Sequence, residues 1–337
     1  MRLFHSAILL LITLFSASSL CAASELDDRQ KIINVVQDAF AHDRFSDITD
    51  LADRYRVGKS RTGSGTWKLT MVYVGIDQAI RSETQGRDRA PAFQAVMEKM
   101  QRWTKLQPNS PAAHLGYAHA HQSYAWAIRG GGYASKVRPE AWVPFHAEVE
   151  ETRLYLEKTK AIAAVDPHWY EMMLNVARLQ SWDAKRFGTT FDAAVKREPL
   201  FYQHYFVAVD YFLPKWQGNV KDVELFAQFA AKKTAATDGT GMYARIYWYA
   251  SQSDFGDAIF QDSLANWPKM KAGFDDVLAR YPDDWNYNTY GKFACLAKDK
   301  KSTREFFIKI GDQPMYEAWT SPAMIDACRA WAQSGAI

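Results

Sequence analysis

The feature that most constrains this chain is a rhythm of paired amphipathic segments set off by prolines. The clearest unit runs HWYEMMLNVARLQSWDAKRFGTTFDAAVKREP over residues 168–199. It opens after a proline, carries one aromatic-rich segment, turns, carries a second, and closes on Pro199. Apolar residues recur at spacings of three and four, as in Tyr202, Tyr205, Phe206, Val209 and Phe212. That spacing gives a helix one apolar face, whereas a half-buried strand needs alternation. Alternation is nearly absent; the one doubtful stretch is 67–74, WKLTMVYV, and its imperfect pattern favours a helix. The expectation is an all-α fold, an α-solenoid of antiparallel helix pairs, because a pair repeated along a chain buries its apolar faces by stacking on its neighbours.

The spacing predicts helices near 26–42, 46–56, 67–83, 91–106, 110–128, 141–164, 168–182, 184–197, 200–213, 220–236, 241–253, 257–280, 285–297, 301–310 and 322–334. Pro91, Pro111 and Pro167 suit first turns, where an N–H would be unpaired anyway. Asp166 and Asn109 or Ser110 precede two of them as caps. Pro282 stops a helix at the residue before it. Two stretches break the rhythm. Residues 58–66, GKSRTGSGT, read as a flexible polar loop, and 129–139, RGGGYASKVRP, as a glycine-rich insertion.

The first residues set the expected compartment. Arg2 precedes an uncharged apolar run, AILLLITLF at 7–15, and small residues follow at 21–23. This is the plan of a signal peptide, residues 1–23, cleaved after Ala23. The mature chain, 24–337, is then one helical-repeat domain in the periplasm or outside the cell. Cleavage removes one of 41 basic residues and none of 38 acidic ones. The resulting balance is no signature of nucleic-acid binding. No later stretch is apolar enough for a transmembrane segment. Cys295 and Cys328 remain, and an even pair in an oxidising compartment suggests a disulfide. The alternative is two buried thiols packing as small hydrophobes.

With Pro199 as the closing proline of a tetratricopeptide repeat, Leu174, Phe191 and Ala194 fall where that repeat wants large, large and small residues. Phe274 and Pro282 reproduce the Phe191-to-Pro199 offset. Asn175 and Phe187 depart from it, since small residues are usual there. The units therefore resemble divergent tetratricopeptide repeats. Phrases such as AWAIRGGGYAS at 125–135, DPHWYEMMLNVA at 166–177, YFLPKWQG at 211–218 and YARIYW at 243–248 make the chain similar to a family of exported bacterial proteins of unknown function. The resemblance implies a tetratricopeptide-like fold and no reaction.

Aromatic residues carry the chemical signal. All 12 tryptophans lie beyond residue 23, and segments 200–213 and 241–253 carry rings on more than one face. A two-layer array cannot bury both faces equally, so some rings are expected to line a groove for a peptide or a sugar. The glycine-rich insertion adds Arg129 beside Gly130, Gly131 and Gly132. Three glycines can turn their N–H groups toward one anion, with arginine gripping a carboxylate. The alternative is a long turn in which Arg129 caps a helix. The candidate binding set is Arg129, Gly130, Gly131, Gly132, Tyr133, Trp126, Trp169, Tyr202, Tyr205, Arg245 and Trp248. His114 and His121 share a helical face and His119 does not; His168 and Glu171 are three apart. Neither set is a known ligand motif, so no metal and no cofactor are expected. The expected function is a binding or scaffold protein for a peptide or protein partner in the envelope, without catalysis. An α/α-toroid enzyme acting on envelope glycans is the alternative, and it would need two titratable groups converging beside the rings.

Overall fold

A computed structural model describes residues 24–335 except residue 217; the expected signal peptide lies outside the described residues. Of the described residues 78% are helical, and no strand occurs among them. In chain order the helices are α1 (Glu25–Ala41), α2 (Phe45–Gly58), α3 (Lys68–Thr84), α4 (Arg89–Leu106), α5 (Pro111–Arg129), α6 (Trp142–Lys158) and the single-turn α7 (Lys160–Ala163). There follow α8 (Pro167–Leu179), α9 (Ala184–Arg197), α10 (Gln203–Phe212), α11 (Val220–Asp238), α12 (Gly241–Ala250) and the single-turn α13 (Ile259–Asp262). The series closes with α14 (Trp267–Arg280), α15 (Asp284–Leu296), α16 (Lys300–Ile310) and α17 (Pro322–Gln333).

The local signals explain the boundaries. Ser110 and Asp166 accept hydrogen bonds from the amides of Ala113 and His168, each with proline in the first turn behind it. Asn219 and Asp222 form a reciprocal capping box at the start of α11. Segment 67–74 is helical as expected; only Trp67 bridges back to Arg61. Two expected long helices are divided. The one at 141–164 stops at Lys158, where Thr159 turns to ψ 6°. The one at 257–280 breaks at Ser263, whose backbone is extended before α14 starts.

Helices pack mainly on near neighbours in sequence: α1 on α3, α4 on α5, α5 on α6, α8 on α9 and α10, α11 on α12, α12 on α14, and α15 on α16. One continuous core results, with Trp103, Tyr73, Tyr205, Tyr247 and Tyr290 fully buried. A smaller cluster at the C-terminal end contains the Cys295–Cys328 disulfide, which ties α15 to α17 with Cα atoms 5.9 Å apart.

The segment at 58–66 is not the flexible loop its composition suggested. Thr62 and Ser64 are only 3% and 1% exposed. Their hydroxyls, the Ser64 amide and Arg29 Nε all donate to the carboxylate of Glu25, at 2.6–2.8 Å. From the other end of the chain, Arg245 and Asn286 donate to the Ser64 carbonyl at 2.7 and 3.3 Å. Gly65 sits at φ +97°, and a Cβ there would lie 2.8 Å from the Tyr281 ring. Polar residues and glycines were needed here to fill a buried polar junction, which composition alone cannot distinguish from a solvated loop. Arg29 also lies 4.8 Å from the Trp285 ring, so α1 meets the C-terminal third directly.

Candidate ligand-binding site

Two cavities adjoin where α5 runs into the glycine-rich insertion, and Trp126 and Gly131 line both. Gly130 ends α5 at φ +79°, and its amide is used on the Trp126 carbonyl. Arg129 Nη1 donates to the carbonyls of Gly130 and Gly132 at 2.9 and 3.0 Å. The expected ring of converging N–H groups is therefore not formed: the carbonyls face the arginine, and the loop wraps around its own side chain. The same guanidinium lies over two indoles, 5.2 Å from Trp126 and 5.4 Å from Trp142.

The cavity of about 720 Å³ beside this loop is walled by Arg129, Tyr133, Trp142, His146, Arg178 and Trp216, among others. Arg178, from α8, is only 9% exposed. Its Nη2 donates to Asn175 at 2.5 Å, and its Nη1 is 3.8 Å from Asp210. Its guanidinium carbon stands 4.3 Å over the Trp216 ring. Arg178 Nε and Trp216 Nε1 are both buried and have no hydrogen-bond partner among the described residues. Burial pushes Arg178 below its ordinary pKa, while the charge of Asp210 acts to raise it. A buried, incompletely satisfied guanidinium on a cavity wall is complementary to a carboxylate, which would supply the missing acceptor.

The adjoining cavity, of about 850 Å³, lies among α3, α5 and α8. Glu171 Oε2 is 2.7 Å from His168 Nδ1, and His168 Nε2 is 2.6 Å from His119 Nε2. Tyr73 stacks on His168 with ring centres 3.8 Å apart and donates to the fully buried Asp166 at 2.7 Å. Burial, and then the neighbouring His168, hold His119 well below the usual histidine range. Burial pushes Asp166 up, against the opposing pull of His168. Gln122 Nε2 is buried with no partner among the described residues, and Arg81, Arg87, Arg89 and Asp77 also line the cavity.

Of the residues expected from sequence, Trp126, Arg129, Gly131, Gly132 and Tyr133 come together at these cavities, with Gly130 exposed in the same loop. The others lie elsewhere. Trp169 is buried, donating to the Leu156 carbonyl. Tyr202 is buried, donates to Asp238 and packs against Arg245, 4.9 Å away. Tyr205 is buried and donates to the Pro199 carbonyl. Arg245 belongs to the Ser64 junction, and Trp248 rests against Trp285. Trp169, Tyr202, Tyr205 and Arg245 are buried and Trp248 is partly buried, so of the rings some of which were expected to line one groove with the loop, Trp126 and Tyr133 are the ones found at its cavity. Sequence reasoning missed Trp142, Arg178 and Trp216, which reach the loop from three other segments. It noted the His168–Glu171 spacing but set His119 aside for lying off the His114–His121 face; lying on the other face is what lets it meet His168. His114 and His121 pair separately, with Tyr155 and Glu148. No group of three His, Cys, Asp or Glu side chains among the described residues is placed to hold a metal ion.

No family model, no curated protein and no solved structure matches this chain.

Proposed function

We propose that the protein is an exported helical-repeat binding protein that takes a carboxylate-bearing peptide segment of a partner in the cell envelope. The observation that carries this reading is Arg178: buried, stacked on Trp216, short of one acceptor, and set in an aromatic cavity beside Arg129. The disulfide fits an oxidising compartment, and no helix among the described residues is long and apolar enough to cross a membrane. The carboxylate would meet Arg178 while its apolar part stacked on Trp126, Trp142 or Trp216. Calorimetric titration of the mature chain with short peptides ending in an aromatic-acidic pair tests it. Free-acid peptides should bind and C-terminally amidated, uncharged versions should bind at least tenfold more weakly. Equal affinity for both sinks the reading, as does an Arg178→Gln variant that binds as well as the wild type.

The glycan-enzyme reading has one observation in its favour: Asp77 and Glu171 both line the larger cavity, beside Trp126. Release of reducing sugar from purified envelope glycan, lost in Glu171→Gln, would support it; no release would remove it.

A further inference from the structure

Beyond ligand binding, we propose that the larger cavity is an acyl-hydrolysis site in which His119 is the general base and Gln122 donates to the oxyanion. The argument starts from proton counting. Glu171 as a carboxylate can only accept, so His168 Nδ1 carries the proton of their 2.7 Å hydrogen bond. In neutral His168 the other nitrogen, Nε2, is then an acceptor. Its 2.6 Å partner, His119 Nε2, must therefore be the donor. In this protonation pattern, which the proposal adopts, His119 Nδ1 is the unprotonated nitrogen. No described residue makes a hydrogen bond to this nitrogen, and His119 belongs to the cavity wall. The chain Glu171–His168–His119 thus ends in an unprotonated nitrogen whose ring is held by Tyr73 stacking, 6.0 Å between centres.

Gln122 lies three residues further along α5, hence on the same face. Its amide nitrogen is buried and has no acceptor among the described residues. A base oriented by a second group, beside an unsatisfied donor in a cavity, is the arrangement that water attack on a carbonyl requires. In the step, a water oxygen bonds to the acyl carbon as its proton passes to His119 Nδ1. The His119 Nε2 proton moves to His168 Nε2, leaving an imidazolium held by Glu171. The carbonyl electron pair rests on oxygen, facing Gln122 Nε2. Collapse restores the carbonyl and breaks the bond to the alcohol or amine, which leaves with the proton returned by His119. The substrate class is an ester or amide of an anionic molecule, since Arg81, Arg87 and Arg89 contribute to the lining of the same cavity. His168 and Glu171 act through His119 and are positioning residues.

The test is hydrolysis of mono-p-nitrophenyl succinate, an anionic ester, by the mature protein at neutral pH, compared across variants. His119→Ala should lose about 100-fold of the protein-dependent rate, the usual weight of a general base. His42→Ala, an exposed histidine at the end of α1, should lose nothing. Glu171→Gln should lower kcat without raising KM, and Glu171→Asp should recover part of the loss. Free imidazole should restore turnover to His119→Gly, an outcome that a packing role would not produce. Peptide affinity at Arg178 should be unchanged in all of these, which separates this proposal from the binding reading. Absence of turnover above buffer, or a His119→Ala rate equal to wild type, overturns it. Should circular dichroism show His119→Ala unfolded, Gln122→Leu carries the same test, and an unchanged rate there overturns it equally.

Discussion

Glu25 and Ser64 are joined twice, the carboxylate accepting from the Ser64 amide at 2.8 Å and from its hydroxyl at 2.7 Å. Thr62 and Arg29 complete the shell. Burial works to raise the Glu25 pKa, but Arg29, Ser64 and Thr62 together outweigh it, and the group is held below its ordinary 4.5. A depressed carboxyl contributes stability that is fully present above the unfolded value and is lost as pH falls through the folded one. The thermal unfolding midpoint should therefore drop as pH falls below about 4.5. Glu25→Ala should cost about 3 kcal/mol, because it leaves buried donors unpaired. Its unfolding curve should also lose part of the acid dependence expected of the wild type, the rest coming from other carboxylates held low, such as Asp299 and Glu224. An unchanged dependence would assign the acid sensitivity elsewhere.

Gly75 on α3 tests a close helix contact in the N-terminal half. A Cβ there would sit 2.7 Å from the Val36 Cβ and 3.3 Å from the Ile33 carbonyl on α1. Helix propensity favours alanine, but overpacking costs about 1–3 kcal/mol. Urea unfolding of Gly75→Ala should show a lower midpoint with an unchanged slope. A stabilised variant would mean that α1 shifts away freely.

How much of this was legible in the sequence depends on what each element needed. Helix positions followed from spacing, and caps such as Ser110 and Asp166 followed from residue type, because both are local properties. The 58–66 segment misled because serine, threonine and glycine serve a solvated turn and a buried polar junction equally well. Only the distant Glu25, Arg245 and Asn286 decide between them. The cavity was half visible. Trp126, Arg129 and Tyr133 are adjacent in sequence, whereas Arg178 and Trp216 become neighbours only through packing. The rings of Tyr202 and Tyr205 were as prominent in the sequence but are buried, each with its hydroxyl on an internal acceptor.

The disulfide closes a span with a sequence separation of 33. In the chain-entropy account such a loop contributes about 4 kcal/mol. Reduction should lower the unfolding midpoint accordingly, and limited proteolysis should then cut first around α17, the element that the bridge retains. Equal midpoints with and without reductant would contradict this.

Arg129 makes its hydrogen bonds within its own loop and its ring contacts with Trp126 and Trp142. Arg129→Ala should weaken carboxylate-peptide binding by about 1.5–3 kcal/mol, the range of a charge-assisted hydrogen bond. The melting temperature should hardly change, since the residue is only half-buried. Calorimetry with matched melts checks both. Lost stability at unchanged affinity would make the arginine a loop clamp alone.

The Ser64 carbonyl has a consequence for how the chain folds. Its two donors lie 181 and 222 residues downstream, in Arg245 and Asn286. Helix arrays with free ends can unfold by peeling from a terminus, one pair at a time. Here the first helices are latched to the last third, so peeling from the N-terminal end must first break a buried polar junction. The latch also cannot close until nearly the whole chain is available. An early fragment, however well its helices pair, carries the Ser64 carbonyl without its distant donors, and remains open until the later helices arrive.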